Sequence, residues 1–344
     1  MQVLGPADHD RPRRPGSVRR TTTIDMRWVD GWGSDLRLEG RGRDLVTPVQ
    51  GVPEVVAESL LRLDVRPDRS IASVETEPRW PGVEDLVGAR AGSGFRARLA
   101  EVLPGASGAD PLHLLLDDVP GATLISGFAF AQWHPIEELL AEATTAATRA
   151  RPMTGICTGF MPGSSGLAPD GTSRWTHRTR PVVPLEQTHD VLAWHEIQQI
   201  SEVSMRRARR IDVWAEAGFV YVEAMFQDTS TRPEGGRVAV HEYTLTATAA
   251  PGGEGGELVL TSVEPVPHVL PYAECPLAVL NAGSVVGTPM SDLRAVVLER
   301  LTGVAGCTHL NDALRALADV PALAAVAGRA VTRGGRGSPR TPEQ

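Results

Sequence analysis

The sequence predicts an α+β fold of two tandem related modules, each made of mainly antiparallel strands followed by helices, packed with pseudo-twofold symmetry. Segments in which apolar and polar residues alternate come before segments with helical spacing, and this order occurs twice along the 344 residues. The two halves also resemble each other in sequence. Strands grouped ahead of helices, rather than alternating with them, are typical of the α+β class.

An internal repeat is visible in two segments that align without a gap. Residues 95–116 (FRARLAEVLPGASGADPLHLLL) and 293–314 (LRAVVLERLTGVAGCTHLNDAL) carry the same residue at eight aligned positions. Shorter blocks upstream recur in the same order, and such a recurrence is typical of a duplication. The sequence therefore predicts two copies, at about residues 18–125 and 204–325.

Each copy begins with predicted strands and ends with predicted helices. In the second copy, β-branched and aromatic residues alternate with others, which is typical of half-buried strands. Its helices have apolar residues at spacings of three and four, as amphipathic helices do. The predicted strands are FVYVEAMF (219–226), VAVHEYTLTATA (238–249) and GELVLTSVE (256–264), and the predicted helices are DLRAVVLERL (292–301) and LNDALRAL (310–317).

The repeat and the composition divide the chain into five predicted segments. The connector between the copies is rich in Gly, Pro, Ser and Thr from Pro152 to about Gln187, so we expect a loop that covers a site. A helix is predicted before it, over residues 136–150. The five segments are a disordered N-terminus (1–17), a first module with its connecting helix (18–150), the connector (151–203), a second module with the candidate site (204–325) and a disordered tail (326–344).

The charged residues exclude several kinds of function. The net charge of −8 and the pI near 5.6 argue against a general affinity for nucleic acid, because phosphate binding needs a basic face. All 34 basic residues are arginine, and the sequence contains no lysine. Schiff-base chemistry, pyridoxal phosphate attachment and a P-loop each require a lysine amine. Those three classes are excluded, and the cofactor is otherwise unknown.

Hydropathy and cysteine usage predict a cytoplasmic protein without a membrane partner. No run approaches the roughly 20 apolar residues that span a bilayer, and the N-terminal residues lack the apolar segment of a secretory signal. Cys157, Cys275 and Cys307 are far apart in sequence, odd in number and without a CxxC motif. We therefore expect reduced thiols rather than a disulfide framework.

The second copy has a cysteine and a histidine at the start of its last helix, where the first copy has neither. Cys307 and His309 align with Ala109 and Pro111, and Thr308 between them is predicted to cap the helix. A thiol at a helix N-terminus has a stabilised thiolate, and a nearby histidine can act as its base. Cys307 and His309 are therefore candidate catalytic residues. The alternative is a small buried cysteine beside an exposed first-turn histidine.

His241 and Asp228 are the other two candidate catalytic residues. His241 lies on a strand face that should point inward, where the first copy has Ala57. A histidine in place of an inward alanine can be an acid, a base or a ligand, or a hydrogen-bonded core residue. Asp228 aligns with Asp44, and its presence in both copies favours a structural role such as fixing a turn or an arginine.

Three residues are candidates for substrate binding. Arg206 and Arg207 lie in the run MRRARR (205–210), and an arginine fork holds a phosphate or a carboxylate. The alternative is that the run is solvated or pairs with the protein's own acids. Cys275 is the third, because the second copy again has a soft side chain where the first copy has an acid.

A metal site is not predicted. Cysteine and histidine are suitable ligands for zinc, so His241, Cys275, Cys307 and His309 would suit a metal if they converged. Their spacing in the sequence fits no standard zinc pattern.

Four motifs resemble the bacterial family catalogued as domain of unknown function 2889, namely Asp228, HEY (241–243), Glu274-Cys275 and GCTHL (306–310). The last of these is the most specific, and the resemblance extends from about Arg19 to Leu317. The family has no established activity. The resemblance implies a bacterial, cytoplasmic protein and assigns no catalytic role to any position.

Two functional hypotheses follow from the sequence. In the first, the protein is a small-molecule enzyme acting on an anionic acyl or carboxylate metabolite, with His241 as acid or base, Cys307 or His309 assisting and Asp228 orienting. In the second, it is a non-catalytic ligand-binding or assembly protein, and the same residues are core and cap residues. A small-molecule ligand fits both hypotheses, and the oligomeric state is not predicted.

Overall fold

The computed structural model describes the chain apart from residues 1–4, 8–10, 105–107, 109, 136–137, 139–151, 175–177, 188, 253 and 335–344. Within the described residues, nine strands form one sheet in which every ladder is antiparallel. The α+β class is therefore confirmed. The strands are β1 (Ser17–Trp28), β2 (Leu36–Thr47), β3 (Glu54–Val65), β4 (Ile71–Glu77), β5 (Arg180–Pro181), β6 (Met205–Glu216), β7 (Phe219–Thr231), β8 (Arg237–Pro251) and β9 (Leu258–Val269).

The strand order places the two halves of the chain on either side of a central pair. The order runs β4-β3-β2-β1-β6-β7-β8, and both β9 and the short β5 pair with β8. Strands β1 and β6 form the central ladder, from Ser17 opposite Trp214 to Met26 opposite Met205. Four strands followed by helices thus occur twice along the chain. The duplication and its pseudo-twofold symmetry stay predictions.

The helices lie on one face of the sheet, because their apolar faces and one face of the strands share the core. Leu112, Leu115 and Val119 pack in one cluster with Ile24 and Leu38. In the second half, the last helices pack in a cluster with β7 and β8. The helices are α1 (Phe95–Val102), α2 (Pro111–Ile125), α3 (Phe130–Trp133), α4 (Leu293–Arg300), α5 (Thr308–Ala316) and α6 (Val320–Gly334).

The described residues of the connector between the halves are mainly loop, and they contact the rest of the protein on both sides of the sheet. Thr158 in its first part donates its backbone N–H to the Gly306 carbonyl at 2.9 Å on the helical side. Trp194 in its last part packs with Ala208 and Met225 on the opposite side. The connector therefore covers two separate regions of the molecule.

The ends of the chain differ in part from the predicted disorder. Ala7 is buried and donates its N–H to the Glu242 carboxylate at 3.2 Å, and Arg13 pairs with Asp190 at 2.8 Å. Helix α6 continues to Gly334, so the predicted boundary at residue 326 falls inside a helix. The predicted helix at 136–150 lies outside the described residues except for Glu138.

One helical stretch passes a test of length and composition for a membrane span. Pro111–Trp133 has 23 residues with a mean hydropathy of 1.3, which the sequence prediction overlooked. In the most apolar 18 residues of this stretch, 72% is buried inside the protein. The core helix of a folded domain passes the same test, so this stretch is weak support for a membrane segment.

Candidate active site

A network of buried ion pairs fills the space between the sheet and the helices. Six arginines and six aspartates form one continuous chain of contacts, with no N–O distance longer than 3.7 Å. The formal charges balance, and removing one member would leave an uncompensated charge in a buried place. The members are Arg20, Arg96, Arg207, Arg209, Arg294 and Arg315 with Asp44, Asp117, Asp118, Asp228, Asp312 and Asp319.

The arginine run on β6 is divided between this network and the opposite face of the sheet. Arg207 is 1% exposed; its Nε and Nη2 donate to Asp228 at 2.9 and 3.1 Å, and its Nη1 donates to Asp312 at 2.9 Å. Arg206 points to the opposite face, since neighbouring strand residues alternate, and there it holds both oxygens of Asp25. Arg206 and Arg207 therefore lie on opposite faces of β6, and their predicted role in substrate binding stays a prediction.

Two histidines meet the Asp228 end of the network. Asp228 lies opposite His241 in the β7–β8 ladder, and α5 brings His309 over the same position. The Asp228 Oδ2 atom is 3.8 Å from His241 Nδ1 and 3.6 Å from His309 Nε2. The two imidazole rings stack with centroids 3.4 Å apart and planes tilted by 15°. Three of the four predicted catalytic residues therefore converge.

Cys307, the fourth, contacts the other nitrogen of His309. Its Sγ is 4.0 Å from His309 Nδ1, and it accepts a hydrogen bond from the Tyr243 hydroxyl at 3.5 Å. Cys307, His309 and Asp228 thus stand in line, with the imidazole between the thiol and the carboxylate. A thiol, an imidazole and an orienting third group in this order are the elements of a cysteine nucleophile and its base.

Burial keeps the thiol of Cys307 and the imidazole of His309 uncharged at rest. Burial, with the positive charges of Arg207 and Arg209, holds the pKa of His309 well below its ordinary value of 6.5. Burial also raises the pKa of the Cys307 thiol, although the Tyr243 hydroxyl opposes that rise. The resting pair is therefore a neutral thiol beside a neutral imidazole rather than a thiolate beside an imidazolium.

The start of α5 differs from the prediction by one residue. Cys307 occupies the N-cap position, Thr308 is the first helical residue, and no side chain caps the helix. In the aligned helix α2, Asp110 is the N-cap and accepts from the Leu112 N–H at 2.7 Å. The predicted capping role of Thr308 is therefore wrong, and the sulfur of Cys307 takes the place beside the free amides of the first turn.

The first part of the connector covers the thiol cluster. The Thr158 hydroxyl donates to the Gly306 carbonyl at 2.8 Å, directly before Cys307. A Cβ atom on Gly159 would lie 2.6 Å from the Cys275 sulfur, so the backbone there touches that thiol. Cys275 is 5% exposed, and burial raises its pKa well above the ordinary value. Cys275 therefore packs under the connector, and its predicted role in substrate binding stays a prediction.

The rings of the two histidines are not arranged to share a metal ion. Asp228, His241 and His309 each have a ligand atom within 4.8 Å of the others, which is the spacing of a possible metal site. A metal lies in the plane of each imidazole that binds it, because the nitrogen lone pair lies in that plane. Two nearly parallel planes 3.4 Å apart meet only far from both rings. Chelation by both histidines therefore requires one ring to rotate.

Several members of the site carry signals that the sequence interpretation passed over. Asp117 and Asp118 interrupt an otherwise apolar helix, and a buried carboxylate pair requires cationic partners. Asp312 lies among the apolar residues of α5, where it is 3% exposed and bonds Arg96 at 2.6 Å. Tyr243 shares the strand face of His241, so strand alternation alone places it in the cluster.

The comparisons with known proteins concern the second half of the chain. Residues 205–323 match the model of a family described as "Protein of unknown function (DUF2889)". This match is shorter than the resemblance expected from Arg19 to Leu317, and it contains the cluster of Asp228, His241, Cys307 and His309. No curated protein matches the chain. Residues 205–323 are therefore similar to the DUF2889 family, and they contain all four motifs that carried the resemblance.

Proposed function

We propose that the protein is a small-molecule enzyme that transfers or hydrolyses an acyl group through Cys307. His309 is the general base, and Asp228 orients His309. The observation that carries this proposal is the line of the three side chains, with His309 Nδ1 4.0 Å from Cys307 Sγ and His309 Nε2 3.6 Å from Asp228 Oδ2. Nucleophile and base are often farther apart before substrate binds than in the reacting complex.

The chemistry follows from the order of the groups. His309 Nδ1 accepts the thiol proton as the Cys307 sulfur attacks the acyl carbonyl carbon. The bond to the leaving group then breaks, and the leaving group departs with that proton. Water, deprotonated by His309, cleaves the resulting thioester, and the proton returns to the sulfur. In a transfer reaction, an acceptor hydroxyl, amine or thiol takes the place of water.

Two neighbouring residues support the geometry without taking part in bond changes. His241 stacks on the face of His309, which fixes the ring orientation, so it is a positioning residue rather than the base. Arg207 holds both oxygens of Asp228 at 2.9 and 3.1 Å and keeps that carboxylate aimed at His309. The first hypothesis from the sequence, with His241 as acid or base, is therefore refined in favour of His309.

Access to the thiol requires the connector to move. Cys307 is 3% exposed, and Thr158 in the turn above it is hydrogen-bonded to Gly306, the residue before Cys307. Substrate binding displaces this turn in the proposed mechanism. Water and the substrate then reach a thiol whose proton His309 removes.

The test uses a simple acyl donor and intact-protein mass spectrometry. The S-acetyl thioester of N-acetylcysteamine is incubated with the purified protein, and thiol release and the mass of the protein are followed. We expect an acetyl group on Cys307 and catalytic thiol release, both lost in Cys307→Ser and His309→Asn. Cys275→Ser is the matched control, because it removes a buried thiol outside the line. An acetyl group that persists in Cys307→Ser would refute the assignment.

A second candidate function is non-catalytic ligand binding, and burial of all three side chains favours it. Alkylation separates the two candidates. Iodoacetamide is added to the folded protein with and without each member of a panel of acyl compounds. If none of these compounds speeds the alkylation of Cys307 relative to the protein alone, binding is the better description.

We also propose an origin for the two halves and a cellular location for the protein. We propose that the halves are duplicated modules, supported by Arg20 pairing with Asp44 at 2.6 Å and Arg207 with Asp228 at 2.9 Å. We also propose a bacterial, cytoplasmic protein that binds neither nucleic acid nor membrane. The net charge of −8 and the three reduced cysteines support this part.

A further inference from the structure

A cleft lies on the face of the sheet opposite the helices, under the second part of the connector. Its volume is about 370 Å³, which suits a small metabolite. Thr229 and Arg237 lie on its strand side, and Val182, Leu185 and Ile200 form an apolar wall on its connector side. The Cys307 cluster is on the other face, because Asp228 and Thr229 are neighbours in one strand and point to opposite sides.

Arg237 brings a positive charge to this cleft without a carboxylate of its own. Its Nε donates to the Thr229 hydroxyl at 2.9 Å, and its Nη2 donates to the Thr229 carbonyl at 3.0 Å. Within the part of the chain that the structure describes, no carboxylate oxygen lies within 4.0 Å of its guanidinium. Its Nη1 has no hydrogen-bond partner in the same residues.

The neighbouring arginine does not relieve that charge. Arg206 lines the same cleft and occupies both oxygens of Asp25, at 2.7 and 3.1 Å. Two guanidinium groups therefore share one nearby carboxylate. Burial and the charge of Arg206 lower the pKa of Arg237 to about 9, and the nearby Asp25 only partly opposes this fall.

We propose that this cleft binds a small monocarboxylate with an apolar body. The carboxylate accepts from Arg237 Nη1 and from the Thr229 hydroxyl, whose oxygen already accepts from Arg237 and whose proton is left for the ligand. The apolar body packs against the wall of Val182, Leu185 and Ile200. The bound charge balances the arginine in a half-buried place, where an ion pair is screened less than at the surface.

The cleft favours a monocarboxylate over a free phosphate for two reasons. Glu186, which also lines the cleft, adds a negative charge, and it repels a phosphate, with its higher charge near neutral pH, more strongly than a monocarboxylate. The apolar wall also contributes only when the ligand has an apolar body. This site is independent of acyl transfer, so either proposal can fail without the other.

The test compares matched acids and amides by isothermal titration calorimetry with the full chain. Hexanoate and benzoate are expected to bind, whereas hexanamide, benzamide and inorganic phosphate bind at least about tenfold more weakly, which corresponds to about 1.4 kcal/mol. Arg237→Gln should weaken hexanoate binding by at least a similar factor. Arg232→Gln, at the rim and paired with Glu234 at 3.3 Å, is the matched control and should retain it.

A second variant keeps the test decisive if Arg237→Gln does not fold. Val183 lines the cleft and is 61% exposed, so Val183→Glu leaves the core intact and adds a negative charge that repels the ligand. Cys307→Ser should bind hexanoate like the wild type. Equal binding of acid and amide, tighter binding of phosphate, or hexanoate binding unchanged in both Arg237→Gln and Val183→Glu would overturn the proposal.

Discussion

The two halves of the molecule share one buried arginine–aspartate pair and differ in the residues around it. The first half contains β1 to β4 with α1 and α2, and the second contains β6 to β9 with α4 and α5. Arg20 of β1 holds Asp44 of β2, and Arg207 of β6 holds Asp228 of β7. Both ladders shift register directly after the aspartate. Opposite Asp44 the first half has Ala57, where the second half has His241. The arginine–aspartate pair is thus common to both halves, and the histidine belongs to one of them.

This difference separates scaffold from chemistry. A pair present in both halves is explained by the buried network that joins sheet and helices, and it needs no ligand. Cys307 and His309 replace Ala109 and Pro111 of the first half, so a helix can start there without them. The nucleophile and the base of the proposed acyl transfer are therefore side chains that only the second half contains.

Breaking the shared pair in either half should give the largest effect. Arg20→Met leaves the buried Asp44 without its arginine, and Arg207→Met leaves the buried Asp228 without its arginine, so we expect a loss of about 3–5 kcal/mol in the free energy of unfolding for each. Urea denaturation of both variants measures this loss. Arg14→Met is the matched control, because Arg14 is half exposed and pairs with exposed Glu216 at 3.6 Å. If only one of the two variants, Arg20→Met or Arg207→Met, lost this much stability, the pair would not have the same structural role in both halves.

A pH series should show the next largest effect. Burial lowers the pKa of His113 in the first half and, more strongly, of His309 in the second. The unfolded chain takes up protons below about pH 6.5, before the folded chain does, so stability falls as the pH drops below that value. Each such histidine contributes a slope of up to about 1.4 kcal/mol per pH unit. We expect His309→Asn to flatten the slope more than His113→Asn.

A third buried histidine, His195, provides a further comparison in the pH series. His195 of the connector is bonded to Thr21 and Thr23, and burial lowers its pKa to about 3. Its contribution therefore acts between about pH 6.5 and pH 3. Denaturant midpoints at several pH values for His195→Asn, compared with the wild type, measure this contribution. A slope that is unchanged in all three variants would show that these residues titrate normally.

Most of the secondary structure could be predicted from the sequence, but its long-range pairing could not. The alternation of apolar residues in 238–249 predicted β8, and the leucine spacing in 310–317 predicted α5. Both patterns are local, because buried residues recur every second position in a strand and every three to four positions in a helix. The run 205–210 contains almost no apolar residues, so its strand and the opposite faces of Arg206 and Arg207 were hidden. The stacking of His241 on His309 depends on how α5 docks on β8, which no local pattern encodes.

The connector offers a smaller and more specific change. Thr158→Val removes the hydroxyl that bonds the Gly306 carbonyl, so the turn over Cys307 should open more often. The loss of one such hydrogen bond, about 1 kcal/mol, corresponds to an increase of about fivefold in the rate of Cys307 alkylation. Peptide mapping after a timed iodoacetamide pulse measures this rate. Thr172→Val is the control, because that hydroxyl bonds Asp170 within the same segment and should leave the rate unchanged.

The smallest expected change in stability comes from making the second half like the first at one position. Cys307→Ala introduces the residue that the first half has at the aligned position, and it removes one sulfur atom from a buried site. We expect the free energy of unfolding to change by no more than about 1.5 kcal/mol, whereas acetylation by the thioester is abolished. Urea denaturation and the acetylation assay are run on the same preparation. A large loss of stability would show that the thiol belongs to the scaffold, in which case the second half would differ from the first in packing rather than in chemistry.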